Sequence, residues 1–435
     1  MKNILYLIIL FFGFNHSNSS AQINQTTPKN NFIKVNGTQF LKNDKAYSYI
    51  GANLWYGMHL GYSDKKRLQR ELNQLQDLGI TNLRIMALVE GPDTEPYRII
   101  PANNHAENVR EDITRGLDFL LVEMKKRNMY AVVCLSNFWP WTGGFAQYLQ
   151  WAGSIDTIPY PMDTLSKQDW DLYQKVTATF YSDTLAKKMY RNAISKIINR
   201  KNSITNILYK DDPTIMSWQL CNEPRGMKNV ANYLKWIDES AEFIKQLDAN
   251  HLVSVGSEGL TTTPDYNGLP FIETHQSKFI DYTTAHLWVQ NWNLYHPKNH
   301  VNTYDSAIKK ATHYIEQHIE LAVKLNKPFV LEEFGISRNE GNFDIKASTT
   351  VRDDYFNFIF NIIYQNIKNK RASGANFWAW SGEGRPKKYA GWWKSGDDFT
   401  GDPPHEQQGW YSVYNTDTST LSVIKKYNDL LKDVK

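Results

Sequence analysis

Short apolar runs and longer amphipathic stretches take turns along this chain. The runs at 47–52, 82–87, 130–135, 215–220, 251–255, 282–286, 329–332 and 375–379 are largely continuous rather than alternating. That is the pattern of strands buried on both faces. Between them, residues 65–78, 113–126, 186–199, 230–247, 307–325 and 354–369 repeat apolar positions at helical spacing. In the first of these, Leu68, Leu72, Leu75 and Leu78 line one face and Gly79 supplies the stop. Eight strands separated by helices predict a parallel sheet covered on its outside, and eight is the number that closes a (β/α)8 barrel. An open doubly wound sheet would place a glycine-rich turn after its first strand. Here Asn53-Leu54-Trp55-Tyr56-Gly57 places aromatics there instead. The expected fold is α/β, a single TIM barrel.

Ahead of the first strand, residues 32–41 alternate around Asn36-Gly37, a two-residue hairpin signal. Two connections are long, one after the third strand (136–183) and one after the eighth (381–420). Both fall on the C-terminal rim, where barrel enzymes build their sites. At the start of the chain, Lys2, the apolar stretch from Ile4 to Phe14, and Ser19-Ser20-Ala21 read as a secretory signal peptide cut after Ala21. Its apolar core is too short to span a bilayer, and no cysteine sits at the cut to carry a lipid. The expected organisation is a signal at 1–21, a polar linker at 22–31 and one barrel domain at 32–435. The mature protein is expected to be secreted, either extracellular or periplasmic.

Composition narrows the chemistry. The net charge of +4, with both signs interspersed, argues against a nucleic-acid partner. Cys134 and Cys221 both fall inside predicted strands and read as small buried residues. There are 14 Trp, many of them in Gly- and Pro-rich loops: Trp139, Trp141, Trp288, Trp292, Trp392, Trp393 and Trp410. Such a set offers flat apolar platforms, which a pyranose ring matches. No phosphate loop, HExxH or CxxC is present, so neither a cofactor nor a metal is expected. The acidic stretch from Asp397 to Asp402 reads as a solvated loop rather than a calcium site.

Two glutamates carry the strongest signal. Glu223 follows the run 214–222, and Glu333 follows 328–332. A carboxylate at the end of a buried run is costly unless it is paired or used. The two lie about 110 residues apart, three βα units at this spacing, so strands four and seven bring them together above the barrel mouth. Two carboxylates there suit glycosidic bond hydrolysis: one protonates the leaving oxygen and the other acts at the anomeric carbon. Glu258, at the end of the fifth strand, reads as a surface residue.

These residues make the chain recognisable. From about Phe32 to the C-terminus it resembles glycoside hydrolase family 5, and within it the β-mannanase branch. Asn222-Glu223-Pro224 is similar to the family's acid/base position and Glu332-Glu333-Phe334-Gly335 to its nucleophile. Of the adjacent pair Glu333 matches, and a continuing pleat would turn Glu332 the opposite way. The resemblance implies that Arg84 holds the nucleophile ionised and that Asn222 bonds the sugar 2-hydroxyl. It implies site roles for His286 and for Asn137 in the third-strand loop, and it makes Trp378 the platform beneath the reacting sugar. Trp139, Trp141 and Trp292 would line the cleft. Many family members carry a tyrosine two residues after the histidine, whose hydroxyl contacts the nucleophile. Here that position is Trp288, which donates but cannot accept.

The function implied is retaining hydrolysis of β-1,4-mannosidic bonds in mannan, glucomannan or galactomannan. Arg84 would keep Glu333 ionised, and that charge would raise Glu223 and keep it protonated. An open, endo-acting cleft is the expectation. Two alternatives within the family are an exo-acting β-mannosidase or mannobiohydrolase, with the loop after the eighth strand walling off one end, and a β-1,4-glucanase. A non-catalytic glycan-binding protein is the alternative from another class.

Overall fold

The computed structural model describes residues 31–91, 103–105, 108–161 and 167–434. The predicted signal at 1–21 and the linker up to residue 30 lie outside them. Eight strands form one parallel sheet: β1 (Tyr49–Asn53), β2 (Asn82–Met86), β3 (Tyr130–Cys134), β4 (Ile215–Gln219), β5 (Leu252–Ser254), β6 (Thr283–Leu287), β7 (Phe329–Phe334) and β8 (Gly374–Phe377). Their spatial order is β5-β4-β3-β2-β1-β8-β7-β6, so the first strand pairs with the last and the sheet curls into a nearly closed barrel. No ladder joins β5 to β6 among the described residues. Asp281 bridges that seam: its N–H donates to the Val253 carbonyl (2.8 Å), and its carboxylate accepts from the Val253 N–H (2.6 Å).

The predicted strands and helices all appear, with ends displaced by a few residues. Helix Lys65–Asp77 starts where the Asp64 carboxylate accepts from the Arg67 N–H, and helix Thr184–Ile198 where Asp183 accepts from Ala186. Helix His300–Lys324 begins well before its apolar repeat, because its first two turns are largely exposed and show no apolar period. Helix Thr418–Leu431 was not expected. It packs on helix Thr350–Lys368 and covers β1.

The expected hairpin is present, with Asn36 opposite Gln39 and Gly37 at φ +58° in the turn. A third strand, Lys45–Tyr47, completes a small antiparallel sheet. Phe40 from this sheet and Ile33 just ahead of it plug the lower end of the barrel against Tyr49, Val132, Met216 and Val330. The lower barrel is therefore apolar. Its upper half is not: Asn53, Arg84, Gln219, His286 and Glu332 are buried there.

The loop after β3 carries helices Gly144–Trp151 and Lys167–Thr177. It doubles back so tightly that a Cβ on Gly144, at φ +55°, would sit 1.9 Å from the Asn137 carbonyl. The loop after β8 is pinned internally by Asp402. That carboxylate is buried and accepts from the Gly409 and Tyr411 N–H groups (2.8 and 2.6 Å) and the Ser412 hydroxyl (2.5 Å). The expectation of a solvated acidic loop fails for Asp402, whose role is to fold the loop. Cys134 and Cys221 are buried free thiols.

Candidate active site

Just past the end of β4, Glu223 adopts φ +51°, a left-handed conformation that costs a non-glycine residue about 1–2 kcal/mol. Its N–H is held by the Gly256 carbonyl at 2.9 Å. Three donors converge on its carboxylate. Oε1 accepts from His286 Nδ1 (2.7 Å) and Trp288 Nε1 (3.3 Å), and Oε2 accepts from Trp139 Nε1 (2.5 Å). Glu333 accepts from Arg84 Nη1 on one oxygen and stands 3.4 Å from His286 Nδ1 on the other. Trp288 therefore donates to Glu223, and the groups on Glu333 are Arg84 and His286.

A bulge sets this arrangement. Ala285 of β6 opposes Leu331 of β7, but the next residue, His286, opposes Glu333, leaving Glu332 as the extra residue. The expectation that Glu332 turns away is overturned, because the bulge interrupts the pleat and brings both carboxylates inward. Glu332 accepts from Gln219 Nε2 at 2.7 Å and lies 3.8 Å from both Arg84 Nε and His286 Nε2.

Arg84 organises the floor. Besides Glu333 it donates to Gln219 Oε1 (2.8 Å), Asn53 Oδ1 (3.1 Å) and Asn222 Oδ1 (2.7 Å), a use of the guanidinium fork that lysine could not reproduce. Asn222 in turn donates to Asn137 Oδ1 at 3.1 Å. Arg84, Asn137 and His286 thus lie beneath the cleft and touch other site residues.

The proton arrangement differs from the expected one. Burial alone would raise Glu223, but the His286 bond and the charges of His286 and Arg225 hold it down to about 2. Burial pushes Glu333 up to about 7, against the pull of His286 and Arg84 and with the help of the Glu223 charge. Burial disfavours a charged His286, yet Glu333, Glu223 and Glu332 around it raise it to about 10. The expectation had Glu333 low and Glu223 high; it left out an imidazolium seated directly on Glu223. Donor atoms of Glu223, His286 and Glu333 all lie within 4.8 Å of one another, a spacing a metal could use. The Arg84 cation on Glu333 and the indole donors on Glu223 fit a shared proton better than an ion.

Above the pair opens a cavity of about 850 Å³, with Trp139, Trp141, Trp288, Trp292 and Trp378 among its walls. Trp378 meets Trp288 edge-on at 6.1 Å, and Trp292 rests on Tyr314 at 5.2 Å. Arg225 and Glu258 form a further wall that the sequence reading missed. Two guanidinium nitrogens reach the Glu258 carboxylate at 2.6 and 2.7 Å, and Arg225 lies 4.9 Å over the Trp139 ring. Glu258 is buried, not a surface residue. The adjacency of Arg225 to Asn222-Glu223-Pro224 was the available signal. His405, Glu406 and Trp170 also reach the cavity from the two long loops, where no local pattern marks them.

The model of the family described as "GH family 5 beta-mannosidase-like" matches residues 30–435. This chain belongs to glycoside hydrolase family 5. The family 5 mannosidase of Rhizomucor miehei is similar in structure, with 37% identity and a TM-score of 0.85 over 93% of this chain and 99% of that one. A variant of that enzyme with one glutamate changed to alanine, solved with mannosyl-fructose, gives a TM-score of 0.86 at 37% identity, over 93% of this chain and 98% of that one. Mannan endo-1,4-beta-mannosidase 4 of Solanum lycopersicum is 29% identical over 88% of this chain and 92% of its own length. The chain is thus a glycoside hydrolase, and the glutamate cluster above the barrel mouth is where its family membership and its geometry meet.

Proposed function

We propose that this enzyme hydrolyses β-1,4-mannosidic bonds with retention of configuration, Glu333 acting as nucleophile and Glu223 as acid/base. The carrying observation is the convergence of Glu223, His286 and Glu333 within 4.8 Å at the floor of a tryptophan-walled cleft. That proximity suits the retaining separation of about 5–5.5 Å and leaves no room for the water of an inverting site at about 6.5–9.5 Å. The names of the family 5 mannosidase and of the mannan-cleaving relative support the sugar.

In the reaction, ionised Glu333 attacks the anomeric carbon while the bond to the leaving oxygen breaks. The proton shared over the 2.7 Å His286–Glu223 bond reaches that oxygen through Glu223. Glu223, now without it, takes a proton from water, and the resulting hydroxide displaces Glu333 from the sugar. Arg84 orients Glu333 throughout. Trp378 would carry the reacting sugar, and Asn222 would bond its 2-hydroxyl. Secretion belongs to the same proposal, and a mature N-terminus at Gln22 would establish it.

Attack at a chain end is a second reading, favoured by one observation. His405, from the loop after β8, lies parallel to Trp141 at 6.3 Å and edge-on to Trp170 at 6.0 Å, so that loop meets the loop after β3 across the cleft. Beside it, among the described residues, buried His405 Nδ1 has no hydrogen-bond partner, and the Trp378 indole and the Glu406 carboxylate interact with each other; together they offer polar atoms to the hydroxyls of a terminal sugar. Digestion of linear mannan, mannotetraose and cellotetraose, read by chromatography, tests both points. Mannotetraose should be cut and cellotetraose left; the reverse overturns the mannoside reading. Early release of one short product from mannan supports chain-end attack, and an early spread of oligosaccharides supports the open cleft.

A further inference from the structure

Glu332 has no part in the reaction above, yet its fully buried carboxylate stands beside the cluster that performs it. A second carboxylate in this position has to be compensated, and among the described residues its one hydrogen bond within 3 Å comes from the neutral amide of Gln219. The cations nearest to it are Arg84, whose Nη1 is committed to Glu333, and His286. The imidazole ring lies between two sets of negative oxygens. Nδ1 faces Glu223 and Glu333, whereas Nε2 is buried without a hydrogen-bond partner among the described residues and has Glu332 Oε2 at 3.8 Å. A lone pair on Nε2 would face that carboxylate and be repelled; an N–H there is attracted.

We propose that Glu332 is a positioning residue that keeps the proton on Nε2 of His286, so that Nδ1 is the atom exchanging a proton with Glu223. This rests on the assignment of Glu223 as the acid/base. The balance closes. Before the step Glu332 and Glu333 are ionised, Arg84 is charged, and one mobile proton sits on the His286–Glu223 pair. After it, that proton has left with the aglycone and Glu333 is a neutral ester. The cluster carries one net negative charge in both states, so the buried site never has to absorb a change in charge. The groups facing His286 and its partners are Arg84 from β2, Glu223 with Arg225 after β4, Glu258 after β5, Tyr282 at the start of β6, and Glu332 and Glu333 on β7. Of the carboxylates paired with the ring, Glu332 is the one that approaches it at Nε2.

Two measurements test this. With 15N-histidine in the intact protein, the His286 ring should read as N–H at Nε2 throughout, with protonation changes confined to Nδ1. A neutral ring with its proton on Nδ1 overturns the proposal, whatever the activity. In Glu332→Gln, shape and the Gln219 contact are kept but the charge is lost, so His286 holds its proton less well. The alkaline limb of kcat/KM for an aryl β-mannoside should then move down by at least about one pH unit. A merely structural role would lower activity evenly across pH, and an unmoved limb in the folded variant overturns the proposal. Should the unmodified enzyme cleave no β-mannoside, the functional reading fails, and the nitrogen spectra still decide the tautomer.

Discussion

Replacing Arg84 by methionine removes the cation on Glu333 and leaves an apolar chain of similar length. Removing one partner from a fully buried ion pair costs about 3–5 kcal/mol when the remaining charge is left uncompensated; His286, 3.4 Å from Glu333, stays in place, so about 3–4 kcal/mol applies here. Each pH unit corresponds to about 1.36 kcal/mol, so Glu333 should hold its proton about two to three pH units above its present value of about 7. The sign follows from its role: the nucleophile works ionised, activity rises as pH climbs through its pKa, and a higher pKa moves the acid limb up. At neutral pH, kcat/KM should fall by about 10²–10³-fold. Part of the loss should return above about pH 9, until the deprotonation of His286, near 10, closes the window. The assay is kcat/KM of an aryl β-mannoside across that range, beside Arg84→Lys, which keeps charge but loses the fork and should shift the limb less. An acid limb still near 7, with the same loss at every pH, would refute the assignment of Arg84 as the group that keeps Glu333 ionised.

Glu333→Ala should lose at least about three orders of magnitude in turnover. Glu223→Ala should fail on mannobiose yet retain glycosylation of an aryl mannoside with a good leaving group, and azide should restore its turnover. Combined His405→Ala and Glu406→Ala should lengthen the early products from mannan if the loop after β8 blocks the cleft, and unchanged products would argue against that block. Asp118 is buried beneath Arg200, Tyr209 and Ser203, which hold its carboxylate below the usual range even though burial would raise it. Asp118→Ala should lower the melting temperature, with a cost of about 1–3 kcal/mol because the buried Tyr209 hydroxyl loses its acceptor while Arg200 keeps Glu111, and leave kcat/KM at low temperature intact. Since that pKa is depressed, the stabilisation should be present at neutral pH and fade on acidification; a melting temperature unchanged by the substitution would count against the network.

The barrel was legible because β1 to β8 are each buried on both faces, and so appear as apolar runs whatever their neighbours do. Glu223 and Glu333 were legible for the complementary reason, as charges ending such runs. Glu332 was misplaced because a bulge depends on the register of β7 against β6, a property of two strands that neither sequence segment contains. The proton arrangement was reversed for a similar reason: the resemblance named Arg84 as the cation on Glu333 and gave His286 a site role without its contact, and only the folded barrel mouth seats His286 on Glu223. Arg225 and Glu258 form one pair from the ends of β4 and β5, yet each alone looks like an ordinary charged residue. The loop after β8 showed its length but not its path, since irregular backbone carries no period to read.

The seam between β5 and β6 has a topological consequence. These two strands are the edges of the sheet, and they are also consecutive in the chain. The eight strands therefore form a ribbon that begins at β6, runs through β7 and β8, crosses to β1 and ends at β5. Val434 shares a small surface hollow with Gln39 and Ala46, so the C-terminal end of the barrel lies close to its opening sheet. Joining those ends and cutting the chain between β5 and β6 would give a polypeptide in which every ladder connects strands that follow one another in order. The natural chain, by contrast, forms its β1–β8 ladder between the first and the last strand of the barrel, with more than 300 residues between them. Loop closure over that span is slow rather than prohibitive, so the permuted order should reach the same barrel sooner without making it more stable.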